Sequence, residues 1–364
     1  PQPMIVGGVD ANPQEFGFVA SVLDASTFRR VGAYQAQYCA ASLTTPTTLI
    51  TAAHCLVNQE TKKELDPKSV LIGFGSDLQS PRLRVIAADR FDIHPGYRVK
   101  SSIRDIAVVH LAQPVTDIPT ISVPTGASLA ESTTPGTPAN VAGWGATRPT
   151  GKKFPAKLRT GRVEIFPDSS CGGGKNYTVD GETFEGFSKK DADPESMLCA
   201  IGVSKRGSII DACQGDSGGP LVVANDDRLQ LVGVVSWGQS CASDVPGVYS
   251  EVGTASDFLT EVGAIAIQAP LTPPTVEILD TTPTSVEVRI TIPIDGTSVT
   301  AVAATARDVQ TGDVFSCTAP VKVDGRRARC RIEGIPAGSA LQIEAISGNA
   351  AGSSPVSETV TVSL

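Results

Sequence analysis

Apolar residues in this chain come in short runs, broken at close intervals by glycine, proline, serine and threonine. The runs in "SLTTPTTLITAAH" (42–54), "RLRVIAADRF" (82–91), "IAVVHL" (106–111) and "LQLVGVVSW" (229–237) predict strands. One helix is expected over 256–267, with Ser256 and Asp257 as its caps. "QAPLTPPT" (268–275) then carries three prolines in eight residues. Proline lacks an amide donor and fixes its own backbone, so this stretch predicts a semi-rigid linker.

Beyond the linker the pattern changes. Val286, Val288, Ile290, Ile292 and Ile294 alternate with mostly polar neighbours, as do Leu341, Ile343 and Ala345, and again Val360, Val362 and Leu364. A period of two marks a strand with one buried face. Such strands, separated by turns at "PAGS" and "SGNAAGSS", predict a β-sandwich. The expected domains are 5–268 and 276–364, joined by a linker over 269–275.

Composition agrees with an all-β chain. The 35 glycines and 26 prolines suit many turns and few long helices, and 364 residues suit two domains. The net charge is −8 and the basic residues are scattered. Arg326, Arg327 and Arg329 form the one dense basic cluster, expected in a solvated turn. Nucleic-acid binders spread positive charge over a whole face, so nucleic acid is not an expected partner. Eight cysteines (Cys39, Cys55, Cys171, Cys199, Cys213, Cys241, Cys317 and Cys330), none in a CxxC pair, predict four disulfides and an oxidising compartment. No apolar run reaches the ~18 residues of a membrane span. The expectation is an exported, extracellular protein whose signal segment has been removed, with surface attachment left open.

Three stretches carry chemistry. "TAAHC" (51–55) holds His54, "RDIAVVHL" (104–111) holds Asp105, and "DACQGDSGGP" (211–220) holds Ser217. Hydrolysis of an amide by a side chain needs a hydroxyl that loses its proton as it attacks. It also needs a near-neutral base to take that proton and a carboxylate to fix the base's tautomer. His54, Asp105 and Ser217 are those three types. His94 and His110 lack such support and are expected to be inert.

In order along the chain stand "IVGG" (5–8), "TAAHC", "DIAVV", "AGWG" (142–145), "GDSGGP", "SWG" (236–238) and "PGVY" (246–249). With them, Ile5 to about residue 268 resembles the chymotrypsin–trypsin family of serine endopeptidases. The resemblance implies two six-stranded β-barrels, with His54 as general base and acid, Asp105 its orienter and Ser217 the nucleophile. It implies an oxyanion hole from the amides of Gly215 and Ser217, worth about 2.7–4 kcal/mol per donor. It implies the bridges Cys39–Cys55, Cys171–Cys199 and Cys213–Cys241, which leave Cys317 with Cys330 in the second domain. No metal or cofactor is implied.

Asp211, six residues before Ser217, matches the floor of the family's specificity pocket, with Ala212, Ser236, Trp237, Gly238 and Gly247 around it. A carboxylate there selects protein or peptide substrates with Arg or Lys before the cut bond. Ala212 stands where a serine is often found, which favours Arg. In the family the free ammonium of the first Ile pairs with the Asp before the catalytic Ser, positions matched here by Ile5 and Asp216. Residues 1–4 are then the remnant of a propeptide, still joined through Met4. The expectation is a zymogen with a misdirected Gly215 amide and a poorly ordered Asp211 pocket. Met4 does not suit an enzyme selecting Arg, so a second protease is the expected activator.

Several features depart from the family pattern. "AASL" follows Cys39 where two glycines are usual, which is expected to alter the leaving-group wall. The stretch between Cys171 and Cys199 is long, read first as a mobile surface insertion and second as a rim limiting access. A calcium loop is not recognisable between Val70 and Phe91, and Asn176-Tyr177-Thr178 is a glycosylation sequon. The tail "GIPAGSALQIEAISGNAAGSSPVSETVTV" (334–362) resembles the last strands of a fibronectin type III domain. It has no Trp, and Leu341 stands where a Tyr is usual, so the domain is placed as immunoglobulin-like. A surface or macromolecular docking role for it and a spacer role stand equal. The intact His, Asp and Ser argue against a binding protein with a degenerate protease half.

Overall fold

Strands dominate, each ending where glycine, proline or a polar cluster interrupts the apolar run. The computed structural model describes residues 5–124, 132–150, 154–225, 228–265, 270, 272–293, 299–321, 327–349 and 352–364. The chain divides into two compact units, Pro1–Pro124 with Leu129–Ile265, and Thr125–Ser128 with Ala266–Leu364.

In the first unit, β1 (Val9–Asp10) precedes β2 (Val19–Asp24), β3 (Gln37–Thr45), β4 (Thr48–Thr51), β5 (Val70–Phe74), β6 (Arg84–Ile93) and β7 (Ala107–Leu111). Strands β2 to β7 close an antiparallel barrel in the order β2-β3-β4-β7-β6-β5. Register can be followed along β6. Ile86 and Ala88 point inward by alternation, then a register shift between Ala88 and Arg90 resets the face so that Phe91 is buried.

A second set follows: β8 (Pro138–Gly143), β9 (Arg159–Ile165), β10 (Cys171–Gly172), β11 (Tyr177–Val179), β12 (Glu182–Phe184), β13 (Phe187–Ser188), β14 (Met197–Val203), β15 (Ile209–Ile210), β16 (Pro220–Asn225), β17 (Arg228–Trp237) and β18 (Gly247–Glu251). The sheet order β1-β9-β8-β16-β17-β18-β14-β15 closes on itself through β9–β14, giving the second six-stranded barrel. Its interior holds Val141, Val163, Ile165, Leu221, Val232 and, from the amino-terminal segment, Ile5.

Two short helices, Ala25–Val31 and Ala33–Ala36, stand between β2 and β3, and the sequence reading missed them. Asp24 caps the first by accepting from Thr27 N at 2.7 Å. Gly32, with φ +86°, turns the chain between them. The expected helix over 256–267 is shorter, Ser256–Glu261, and neither predicted side chain caps it: Ala255 is the N-cap, with no side-chain bond. Gly263 adopts φ +71° just beyond, a left-handed geometry that ends helices. Residues 266–269, and with them the end of the expected helix and start of the linker, lie outside the described residues.

The second unit contains β19 (Thr275–Thr282), β20 (Ser285–Thr291), β21 (Ala301–Asp308), β22 (Val314–Pro320), β23 (Arg327–Glu333), β24 (Ala340–Asn349), β25 (Gly352–Ser353) and β26 (Val360–Ser363). One sheet runs β19-β20-β23 and the other β22-β21-β24, with β25 and β26 both paired to β24. Val286, Val288 and Ile290 of the first sheet share a core with Val302, Leu341 and Ile343 of the second, which makes a β-sandwich. Ile294 lies outside the described residues. Arg327 and Arg329 are on strand β23 rather than in a turn, exposed in alternation with Ala328 and Cys330. Arg326 lies outside the described residues.

All four predicted disulfides are formed: Cys39–Cys55, Cys171–Cys199, Cys213–Cys241 and Cys317–Cys330. The last joins β22 to β23 and so ties one sheet of the sandwich to the other.

Candidate active site

His54 sits in a single 3-10 turn, Ala53–Cys55, directly after β4. The Cys39–Cys55 bridge fastens this turn to β3. Asp105 lies two residues before β7 and is fully buried. Its Oδ1 accepts from the His54 backbone N at 2.8 Å, and its Oδ2 faces His54 Nδ1 at 2.7 Å. The imidazole side chain is 24% exposed, so Nε2 can be reached while Nδ1 is held. Burial works against the charged imidazolium. The charge and hydrogen bond of Asp105 outweigh it and hold His54 above its ordinary pKa.

Ser217 lies in the turn before β16, and its carbonyl accepts from Ala40 N at 2.8 Å. That bond puts the Ser217 backbone one residue from Cys39, and the disulfide carries the link on to His54. The two barrels meet closely here: a Cβ on Gly218 would fall 2.3 Å from Ala40 O. Ser217 Oγ makes no hydrogen bond to His54 Nε2, a contact that often tightens only around substrate. Cys39 and Cys55 also lie near His54, but their sulfurs are bonded to each other and offer no thiolate to a metal.

Ser236 lines the pocket where the sequence suggested, and its hydroxyl in addition donates to Asp105 Oδ2 at 2.6 Å. Ala40–Ala41 are not placed as the sequence suggested. Ala40 and Ala41 are fully buried in the first core, so "AASL" packs the barrel rather than facing a leaving group.

A cavity of about 200 Å³ runs from Ser217 to Asp211, lined also by Ala212, Trp237, Gly238 and Gly247. Asp211 is 2% exposed. Its Oδ2 accepts from Ala242 N at 2.8 Å, while Oδ1 has no hydrogen-bond partner. Burial pushes its carboxyl up to about 8. A Cβ on Gly247 would stand 2.8 Å from Oδ1, so glycine keeps that oxygen open to the cavity.

The stretch between Cys171 and Cys199 is folded, which overturns its reading as a mobile insertion. β11 and β12 pair as a hairpin, and Val179, Phe184 and Phe187 enter a core shared with Met197 and Val248. Five or more apolar side chains are not spent on a loose flap: burial of each stabilises by roughly 1.5–3 kcal/mol. The Phe187 ring lies 5.1 Å from Trp237, so the insert braces a wall of the cavity. Asn176 is exposed just before this hairpin. His94 and His110 lie elsewhere: the His94 ring packs tilted against Phe258 and His110 Nε2 faces Asp92 at 2.7 Å.

The pocket around Asp211, expected to be poorly ordered, is a formed cavity, and the segment at Ile5 packs beside it. Ile5 is fully buried, and Val6 O accepts from Asp211 N at 3.1 Å. Asp216, also fully buried, accepts from Gly145 N at 2.7 Å and Cys213 N at 2.9 Å. Gln214 O accepts from Ala146 N at 2.7 Å, which turns the next N–H, that of Gly215, the opposite way. These amide bonds and the burial of Ile5 hold the loop before Ser217.

Two closed six-stranded barrels joined by this cleft place the first unit in the chymotrypsin-like class. The family model described as Trypsin matches residues 5–259. The chain is 34% identical over 250 residues to trypsin delta of Drosophila erecta, covering 68% of this chain and 84% of that one. It is 32% identical over 261 residues to a trypsin of Saccharopolyspora erythraea, covering 71% and 97%. Hypodermin-B of Hypoderma lineatum is 31% identical over 259 residues, covering 71% and 86%. The chain belongs to the trypsin family and is a trypsin-like serine endopeptidase.

Proposed function

We propose that this chain is the precursor of a secreted endopeptidase that cuts peptide bonds after Arg, and less readily Lys, through an acyl-enzyme. The observation that carries the substrate choice is Asp211, a buried carboxylate with Oδ1 unpartnered at the end of a cavity that begins at Ser217. A buried anion without a partner is costly, and a guanidinium brings both a charge and donors to it. A neutral side chain would leave the oxygen as it is. Ala212 offers no hydroxyl to help hold a compact ammonium, which favours Arg.

In the proposed reaction Ser217 Oγ adds to the acyl carbon as its proton passes to His54 Nε2. Asp105 keeps the other ring nitrogen protonated and faces the imidazolium that forms. The oxyanion develops toward the amides of Gly215 and Ser217. His54 then gives its proton to the leaving amine, and water repeats the sequence on the ester.

Cleavage between Met4 and Ile5 is the proposed activation. Acylated by Met4, Ile5 brings no charge to Asp216, whose carboxyl burial pushes up to about 7. Ile5 also holds φ +40°, a value rare for a β-branched residue. The cut abolishes that torsion and frees an ammonium for Asp216. A buried pair lacking one member is worse by about 3–5 kcal/mol. Activation in this reading acts by completing the charge pair at Asp216. Residues 276–364 serve as an immunoglobulin-like appendage, for docking to a surface or as a spacer.

The test is a fluorogenic assay on Arg, Lys and Phe peptides, with amino-terminal sequencing of the active material. Arg above Lys, no turnover of Phe and an Ile5 terminus are expected. A preference for Phe would refute the pocket reading, and full activity with Met4 attached would refute the zymogen.

A further inference from the structure

Gln37 stands where the second short helix hands over to β3, and its side chain crosses to the loop before Ser217. Its Nε2 donates to Gly215 O at 2.8 Å and to Cys39 O at 3.1 Å. Both acceptors are carbonyl oxygens, so the end of the side chain facing them is the amide nitrogen, and both its N–H groups are used. Gly215 itself has φ +96°, a conformation open to glycine and therefore weakly held by its own backbone.

We propose that Gln37 is a positioning residue that fixes the oxyanion-hole amide of Gly215, an inference that rests on the reading of Gly215 and Ser217 as that hole. The Gly215 N–H lies between two carbonyls. Gln214 O is held by Ala146 N, from the strand-to-loop turn after Trp144. Gly215 O is held by Gln37, from the opposite side. Held at both ends, the two peptide planes flanking the amide cannot rotate together, and the N–H stays on the side of Ser217. Gln37 ties this loop to Cys39, whose disulfide partner Cys55 follows His54. One side chain thus references the oxyanion donor to the same β3 backbone that anchors the base. The helical pair 25–36 has a role in this arrangement: it delivers the chain to β3 with Gln37 facing the loop.

The experiment uses the full chain cut at Met4–Ile5, as wild type, Gln37→Met and Gln37→Lys. Methionine keeps the length without a donor; lysine restores a donating nitrogen. Each is assayed on an arginine peptide amide, then titrated with benzamidine, which fills only the Asp211 cavity, and with an arginine peptide aldehyde. The aldehyde carbon bonds to Ser217 Oγ, and its oxygen takes the oxyanion position. Losing an oxyanion donor outright costs about 100–1,000-fold in kcat, so losing its anchor is expected to cost about tenfold or more. For Gln37→Met, kcat and aldehyde affinity should fall together, with KM, benzamidine affinity and thermal midpoint unchanged. Gln37→Lys should recover most of the loss. Wild-type kcat and aldehyde affinity in Gln37→Met would overturn the inference, as would an equal loss of benzamidine affinity, the mark of a merely structural role. An inert wild type that binds neither inhibitor would overturn the proposed function and this inference with it.

Discussion

Ser236 Oγ donates to Asp105 Oδ2 at 2.6 Å, the same oxygen that faces His54 Nδ1 at 2.7 Å. The carboxylate is fully buried, so its orientation is set by these donors and the His54 amide rather than by water. Ser236→Ala removes one of them. The loss of a hydrogen bond to a buried charged group is worth about 1.5–3 kcal/mol. A fall in kcat of at least tenfold with KM unchanged is expected on an arginine peptide. Asp105→Asn, which exchanges an acceptor for a donor, should lose about 10⁴-fold. A Ser236→Ala enzyme with wild-type kcat would show that Asp105 is held without it.

The acid limb of activity follows from the proposed role of His54 as general base. It must be neutral to accept the Ser217 proton, and Asp105 holds it above its ordinary pKa of about 6.5. Activity should therefore rise with pH through a midpoint above that value. Asp211 adds a second requirement, because only its ionised form attracts a cation and burial pushes its carboxyl up to about 8. Benzamidine binding does not use His54 and separates the two. Its affinity should strengthen as pH rises through about 8 and then level. Asp211→Asn should abolish both the affinity and its pH dependence. Affinity flat with pH would mean that Asp211 is ionised throughout.

The residues proposed to handle protons stand out in the sequence because the chemistry restricts them to few types in fixed local settings. "GDSGGP" marks Ser217 by glycines that allow a tight turn, and "TAAHC" marks His54 by its half-cystine. What joins them was not legible. Gln37 reaches Gly215 across 178 residues of chain, and Ser236 reaches Asp105 across 131. Neither spacing leaves a local pattern. The helices at 25–36 were missed because Gly32 splits them into pieces too short to show a helical period, although Asp24 was a visible cap. Arg327 and Arg329 misled because charge was read before alternation; Ala328 and Ile332 are buried between and beyond them. In the Cys171–Cys199 insert Phe187 meets Trp237 and Val179 and Phe184 join the core of Met197 and Val248, contacts only tertiary structure supplies.

Cleavage at Met4 should change stability with a definite pH signature. Burial pushes Asp216 up to about 7, above the roughly 3.9 of an unfolded aspartate. The unfolded chain then ionises first, so the uncut fold loses stability as pH rises from about 4 to about 7, and no further above. A free Ile5 ammonium favours ionised Asp216 and removes this loss. The gap in thermal midpoint between cut and uncut chain should widen between pH 5 and 7, in line with that shift. It should narrow again in alkali as the α-amino group, about 7.7–8.0 unpaired and raised by pairing, loses its proton. Identical pH profiles for the two forms would exclude the pairing of Ile5 with Asp216.

The sandwich offers a test that leaves the catalytic residues untouched. Cys317 on β22 and Cys330 on β23 tie its two sheets together across a sequence separation of 13. In the chain-entropy picture a loop of this size stabilises by about 3 kcal/mol, by restricting the unfolded chain. Its core is modest: Val286, Val288, Ile290, Leu341 and Ile343 with several alanines. Removing both sulfurs by C317A/C330A should therefore lower the melting transition of residues 276–364 by several degrees or unfold them at 37 °C. All residues of the proposed catalytic and substrate sites belong to the first unit, so kcat and KM on small arginine peptides should stay at wild-type values. The same variant then decides between docking and spacer. Loss of action on a native protein target, with peptide turnover intact, is the result expected of a docking domain. Unchanged action on that target leaves the sandwich a spacer, and a fall in peptide kcat would show that the protease unit depends on it for its own fold.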